Sequence, residues 1–371
     1  MTLKLGLGLD LWAGKGLRVP LEQVQLAERL GYDSVWTAEA YGSDAISPLA
    51  YLAASTSRIR LATGIIQVSA RTPTATAMAM ATVDALAGGN RTIIGLGLSG
   101  PQVVEGWYGA PWARPNARLR DGIAVMQAAL RREAPLEYHG ATMSVPYAGA
   151  DATGMGKPLK SILHTAPLPI WLAAGGPRNV ALAAEVCDGW IPMGFRPDMM
   201  PTYLKQLEEG FARRAPGGAS AGERGDGKRA GGQPDGFEVA PSLTVAITDD
   251  VRKVIDAAKP RIAMYVGGMG HPEMNFHNQS MARVGYPEAA ARIQELFLAG
   301  RRDEATAAVP DEFVDDGGLF GSPERIAERF RVWADCGATT LVVRTAHGPL
   351  GDDALELMAD LAGTREEVTA Q

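Results

Sequence analysis

The chain has 371 residues, 46% apolar and 21% charged, a globular composition with length for one large domain or two modest ones. Its formal net charge is −6, from 36 basic and 42 acidic residues, with no dense Lys/Arg run; that argues against a nucleic-acid surface but not against a local basic patch. Two cysteines, Cys187 and Cys336, lack metal-ligand spacing and read as small buried residues, no signal peptide pattern opens the chain, and no apolar run reaches the ~18 residues of a membrane span, so a soluble cytoplasmic protein is expected.

Strand-like and helix-like runs alternate along the chain. Leu3–Leu9 reads as the first strand. Leu21, Val24, Ala27 and Leu30 share one helical face, and Gly31 stands where a C-terminal cap belongs. "DSVWTA" (33–38) is the second strand, and Ser47-Pro48 opens a helix with Ser as its cap. "RLATGII" (60–66) is the third, followed by a helix from Thr72-Pro73 to Gly88-Gly89. "RTIIGLGL" (91–98) is the fourth, with a helix over Asn116–Leu130. "PIWLAA" (169–174) precedes a helix from Pro177, and "DGWIPMG" (188–194) one near Pro197–Arg213. "EVAPSLTVAI" (238–247) is the seventh strand, with a helix from Asp249. Ser322-Pro323 opens another helix, "TTLVVRTA" (339–346) is the eighth strand, and "DDALELMADLAG" is the last helix.

Eight such units favour an α/β fold, a closed (β/α)8 TIM barrel, over its rival, a doubly wound open sheet. Three stretches break the rhythm. Residues 133–167 read as an irregular insertion with short β character, and 269–320 as a longer, mostly helical one. Residues 214–236 are Gly, Ala and charge with little to bury, a flexible surface loop. Strand–helix units resume after each, so residues 1–371 read as one domain.

"GLGLSG" (95–100) fits the G-x-G-x-x-G pattern of dinucleotide sites, but its context does not. No amphipathic helix follows Gly100, and position 120 is Arg where an acidic residue is wanted. Glycines inside a strand instead let another group approach closely. In a barrel, Gly97, Leu98 and Ser99 then lie at the carboxyl rim, where sites are built.

Other rim positions follow in the same way. The first strand ends in Asp10 and Trp12, the second in Glu39, the third in Gly64, and the fourth is followed by Glu105, Trp107 and Tyr108. Glu39 reads equally as a general acid/base or as a helix cap. Trp107, Tyr108 and Trp112 suit a wall for a planar ligand or the filling of a loop. "AAGGPRN" (173–179) suits an anion: two glycines free the backbone before a helix N-terminus, and Arg178 adds charge. The bland alternative is a turn that merely needs glycine and proline. Five scattered histidines give no metal-ligand spacing, so no metal is expected.

Four stretches in order, "AERLGYDSVWTAEAYGSDAISPLAYLAASTSRIRLATGI", "RTPTATAMAMATVDALAGGNRTIIGLG", "PIWLAAGGPRNVALAAEVCDGWIP" and "GSPERIAERFRVWADCGATTLVV", give the chain its resemblance. It resembles the bacterial luciferase-like superfamily of TIM barrels, and within it the coenzyme F420-dependent branch near the methylene-tetrahydromethanopterin reductases. The resemblance implies a tricyclic ring in the barrel mouth against a bulge after the third strand, with a non-proline cis peptide at Gly64-Ile65. It implies that Glu39 lies beside the ring, that Gly97, Leu98 and Ser99 line it, and that Ala174, Gly175 and Gly176, with Met193 and Gly194, hold the cofactor phosphate. Ala40 stands where some sugar-phosphate-oxidising relatives have histidine, which puts histidine-assisted alcohol oxidation in doubt.

The implied function is hydride transfer between a deazaflavin, F420, and a small organic substrate, with Glu39 for proton handling or ring positioning. Asp10, Trp12, Glu105, Trp107 and Tyr108 are the expected substrate pocket, with specificity set by 101–115 and 269–320. FMN is the alternative cofactor, in a luciferase-like monooxygenase or reductase; a non-catalytic flavin-binding barrel is the second alternative. A Schiff-base aldolase would want a lysine at a strand's carboxyl end, and Lys4 lies at the amino end of the first. Neither nucleic acid nor membrane is an expected partner; a homodimer is implied by the resemblance alone.

Overall fold

Period-two alternation puts every second side chain of these strands on one face, and closing the sheet turns that face inward. The computed structural model describes residues 3–11, 16–215, 236–345 and 350–365. Its strands are β1 (Lys4–Gly8), β2 (Ser34–Thr37), β3 (Arg60–Thr63), β4 (Ile66–Gln67), β5 (Thr92–Gly97), β6 (Tyr138–His139), β7 (Ser144–Val145), β8 (Ile170–Ala174), β9 (Gly189–Pro192), β10 (Glu238–Val239), β11 (Ser242–Ile247), β12 (Gly318–Gly321) and β13 (Thr340–Arg344). Among the described residues the strands outside the antiparallel β6–β7 hairpin pair in parallel, in the order β10-β9-β8-β5-β3-β2-β1-β13-β11-β12, with β4 beside β5.

The sheet closes as a TIM barrel, so the open-sheet rival is excluded. Closure falls on the seventh strand. It is split because Pro241 has no N–H to give the ladder. β10 pairs with β9, β11 pairs with β13, and Thr339 N–H donates to the Val239 carbonyl across the seam (2.9 Å). β12 was not expected from the sequence. Its four residues begin and end in glycine, which leaves no alternation to read, yet it pairs with β11 from Thr244 to Ile247.

Helix ends mostly follow the local chemistry. Thr72 caps its helix by accepting from Ala75 N–H, Ser322 accepts from Arg325 N–H, and Gly31 takes a left-handed φ of 80°. Ser47 is a correction. It is the first helical residue, and Asp44 accepts from the Ile46 and Ser47 N–H groups in its place. A second correction lies after Gly100, where a single helical turn, Pro101–Val104, does form. The segment 216–235, most of the expected loop, lies outside the described residues. Cys187 is buried and Cys336 only half-buried, and they form no disulfide.

Three apolar bodies hold the fold. The largest lies between strands and outer helices. A second, with Ile255, Ala263, Ile293 and Phe320, knits the helices of the 251–320 region together. The third fills the barrel: Trp36, Ala62, Ile93, Trp171, Ile191, Ala240 and Val342. Trp36 and Trp171 meet at 5.3 Å and plug its middle layer.

Below that plug, at the amino end, lies an ionic layer. Lys4 Nζ donates to Glu238 (2.6 Å), Arg60 Nε to Asp33 (3.0 Å), and Thr339 Oγ1 to Glu238 (2.8 Å). Burial alone would raise the Glu238 carboxyl, but Lys4 and Arg60 outweigh it and hold it below its ordinary value of 4.5. Its stabilising contribution is therefore complete above about 4.5 and is lost as the pH falls through the lower folded value. Glu238→Gln is expected to cost about 2 kcal/mol at neutral pH, because Asp33 still compensates Arg60. Urea unfolding of both proteins at several pH values checks this: their stability difference should shrink once the pH drops below 4.5.

Candidate active site

Above the tryptophans the inward-facing positions carry almost no side chain. A Cβ at Gly8 would fall 2.6 Å from Arg344 Cγ, and one at Gly64 would fall 3.0 Å from the Trp36 ring. Gly95 faces Ile191 and the Thr63 carbonyl. The carboxyl end of the barrel is thus an open mouth over a tryptophan floor, and the one long polar side chain among these residues is Arg344.

The third strand breaks here. β3 ends at Thr63, a cis peptide joins Gly64 to Ile65, and β4 resumes at Ile66 against β5. This answers what the glycines of "GLGLSG" do. A Cβ on Gly95 would stand 1.8 Å from the Thr63 carbonyl oxygen, and one on Gly97 would stand 2.9 Å from Ile65 Cδ1 and Cγ1. Gly95 admits the displaced backbone, and Gly97 admits the Ile65 side chain. Together they seat a ledge on the inside of the rim.

Glu39 grips that ledge. Its N–H donates to the Ile65 carbonyl (3.2 Å), its carboxylate accepts from Gln67 N–H (3.4 Å), and its carbonyl accepts from Gln67 Nε2 (3.1 Å). The carboxylate is buried and held by Arg71 Nη1 at 2.8 and 3.1 Å. The half-buried Tyr108 hydroxyl is pushed up by burial and by the nearby Glu39 charge. Arg71 thus holds both oxygens of the carboxylate that is tied to the ledge.

A second feature lies two strands away. Gly175 and Gly176 precede the helix Pro177–Val186, which begins at the carboxyl end of β8. A Cβ on Gly175 would meet Met193 Cε at 3.1 Å and Arg283 Nη2 at 3.4 Å. Ser280 donates to the Met193 carbonyl (3.1 Å) and occupies the space a side chain on Gly194 would need. Arg283 makes no ion pair among the described residues. Arg178, expected at this turn, is exposed and lines a surface hollow of about 360 Å³ with Arg120, Glu185 and Arg213. The guanidinium that stands beside Gly175 is that of Arg283, from the helix Phe276–Arg283.

The remaining candidates separate. Leu98 packs into the outer core, and Ser99 takes a left-handed φ of 57°. Ala174 is buried in that same core, and its carbonyl accepts from Trp190 Nε1. Asp10 lies 3.6 Å from Arg261. Glu105 is exposed and accepts from Trp112 N–H (3.2 Å); Trp107 is exposed and faces Tyr41 at 6.3 Å. Trp12 lies outside the described residues. No group of three metal-ligating side chains occurs among the described residues.

Four arginines of this rim were not singled out from the sequence. Arg344 was legible: it ends the eighth strand in inward register with Thr340 and Val342. Arg71 sits four residues past β4, and Arg261 and Arg283 come from the helical region, where no strand register points at the mouth. Gln102 Nε2 donates to the Met269 carbonyl (3.0 Å), so that region reaches the opposite side of the rim.

The luciferase-like monooxygenase family model matches residues 7–340. A putative coenzyme F420-dependent oxidoreductase of Mycobacterium tuberculosis is 45% identical over 343 residues, 92% of this chain and 94% of that one. A 5,10-methylenetetrahydromethanopterin reductase of Archaeoglobus fulgidus is 25% identical over 336 residues, 90% and 92% of the two chains. Among solved structures, the coenzyme F420-dependent tetrahydromethanopterin reductase of Methanopyrus kandleri superimposes with a TM-score of 0.71 at 23% identity, over 97% of this chain and 98% of that one, a likeness of fold.

The ledge makes a graded prediction. Gly95→Ala sets its Cβ against backbone and should cost about 3 kcal/mol, whereas Gly97→Ala meets the movable end of Ile65 and should cost about 1 kcal/mol. Denaturant unfolding of the two variants checks the order.

Proposed function

The chain belongs to the luciferase-like monooxygenase family, and on that premise we propose that it is an oxidoreductase moving a hydride between bound coenzyme F420 and a small organic substrate. Its mycobacterial relative and the Methanopyrus reductase are both named for that cofactor. The observation that carries the reading is the pairing, on one rim, of a flat ledge and a cationic cradle. They are separated by two strand spacings, ~10 Å, the scale of a tricyclic ring and the start of its tail.

The residues fit such a group. Gly64 and Gly97 keep the ledge free of projecting Cβ atoms, so a planar ring can lie against backbone and Ile65. Gly175, Gly176 and Arg283 offer N–H groups and a positive charge to a phosphate. When bound, the deazaflavin supplies the carbon that carries the hydride. The chain's part is geometric and electrostatic. Ile65 backs one ring face, and the Glu39–Arg71 pair holds the ledge in register. The helices of the 251–320 region shield the mouth from water. Asp10, Tyr108 and the rim around Glu105 and Trp107 are the walls proposed for substrate, with Trp12 beside them in chain order.

The same reading makes the protein a cytoplasmic homodimer. Two thiols that form no disulfide support a reducing compartment. The exposed Met155, Leu159 and Ile162 of the 133–167 insertion support a covered face. No helix among the described residues is long and apolar enough to cross a membrane.

Titration of the purified protein with F420 and with FMN tests the cofactor. F420 is expected to bind one per chain and FMN at least about tenfold more weakly. Arg283→Ala should weaken F420 by about tenfold, the worth of one charge-assisted contact, with little change in melting temperature. Tight FMN binding with no F420 binding would falsify the assignment.

A further inference from the structure

Across the mouth from the cradle lies a cavity of about 100 Å³ at the ends of β1, β2 and β13. Gly8, Asp10, Ala38, Arg261, Tyr265 and Arg344 are among its walls. Among the described residues its charge is unbalanced: two guanidiniums face one carboxylate. Asp10 is spoken for by Arg261, at 3.6 Å. Arg344 has no hydrogen bond and no ion pair among the described residues. Burial, and then the like charge of Arg261, push its guanidinium downward, with Asp10 and Tyr265 opposing.

Holding a guanidinium in such a place has a cost that a merely structural residue would avoid. The chain also makes room for it. Glycine at position 8 leaves room for the Arg344 stem as it lies, since a Cβ there would stand 2.6 Å from Cγ and 2.8 Å from Nε. At its far end, Arg344 Nη2 comes within 3.9 Å of the Cβ position of Gly64, the residue that opens the ledge. A group bound by Arg344 therefore lies beside whatever rests on the ledge.

We infer that the substrate is an anion, a small carboxylate, whose carboxylate is received by Arg344 in the cavity between β1, β2 and β13, with Arg261 at its entrance. The planar fork of arginine matches a carboxylate with two parallel N–H donors, and the surplus positive charge of the cavity is then neutralised. This rests on the hydride-transfer reading for the use made of the substrate, but the binding preference can be measured without turnover. Of the residues expected at the substrate pocket, Asp10 lines this cavity, 3.6 Å from Arg261, and Tyr265, from the same helix as Arg261, is another of its walls.

The test uses full-length protein, with and without F420, and two matched pairs of probes: benzoate with benzamide, and crotonate with crotonamide. Calorimetry or ligand-observed NMR reads the affinities. Each carboxylate is expected to bind about tenfold or more tightly than its amide. Arg344→Gln should erase that preference and Arg261→Gln should reduce it several-fold; Arg283→Ala should leave it intact. Arg261 is exposed, so its variant answers the question even if Arg344→Gln unfolds. Equal binding of acids and amides by the parent protein overturns the inference. So does a preference that survives the Arg344 and Arg261 changes, or one abolished by Arg283→Ala, which would put the carboxylate in the cradle. Loss of F420 binding in the parent protein would instead count against the cofactor reading and leave the carboxylate result standing.

Discussion

Everything at the mouth depends on the absence of two Cβ atoms. Strand β3 can leave the barrel ladder at Thr63 only because Gly95, opposite, offers no side chain to the displaced carbonyl, and Ile65 can fold inward only because Gly97 leaves its place empty. Thr63 Oγ1 then bonds both the N–H and the carbonyl of Gly95, at 2.8 and 3.0 Å, and holds the displaced chain to β5. A pattern that looks like a phosphate-binding fingerprint is here a mould for a neighbouring strand. The distinction is physical. Fingerprint glycines bring backbone to a ligand, whereas these bring backbone to backbone.

A break in a parallel ladder leaves hydrogen-bonding groups to be satisfied. The Ile65 carbonyl is taken up by Glu39 N–H, Gly64 N–H donates to the Thr37 carbonyl, and Val68 N–H returns to Gly97. Glu39 then adds its carboxylate to Gln67 N–H. A buried carboxylate costs several kcal/mol unless it is paired, and Arg71 is the pair. This chain of necessity runs from ledge to acid to arginine. It explains, from the ledge alone, why an acidic residue stands at the end of β2.

Much of the barrel was legible because its signals are local. Apolar runs, Pro-opened helices and Gly31 each follow from one stretch of chain. The seventh strand was legible as a run but not as two pieces; the split follows from one missing N–H at Pro241, and its consequence appears only when both neighbours are in place. Ser47 looked like a cap because Ser-Pro is a common start, yet Asp44, three residues earlier, competes better for the same N–H groups. Arg178 looked like the phosphate cation because it is adjacent in sequence. On a helix, the residue after Pro177 points where the helical turn sends it, and that is outward.

The cations of the mouth divide by origin, and the division bears on specificity. The strands contribute small or apolar residues and a single long cation, Arg344, whose position is fixed by barrel register: Leu7 pairs with Val343, which places Gly8 beside Arg344. Arg261 and Arg283 ride on helices of the 251–320 region, which has a core of its own. Changes on those helices can move charge over either end of the mouth without touching the ladder that makes the ledge. The ledge is thus kept by steric constraint in the strands, whereas two of the charges of the mouth are carried by helices outside them. Arg344 belongs to the strands, and because its stem fills the space a Cβ on Gly8 would need, a change at either position bears on the other.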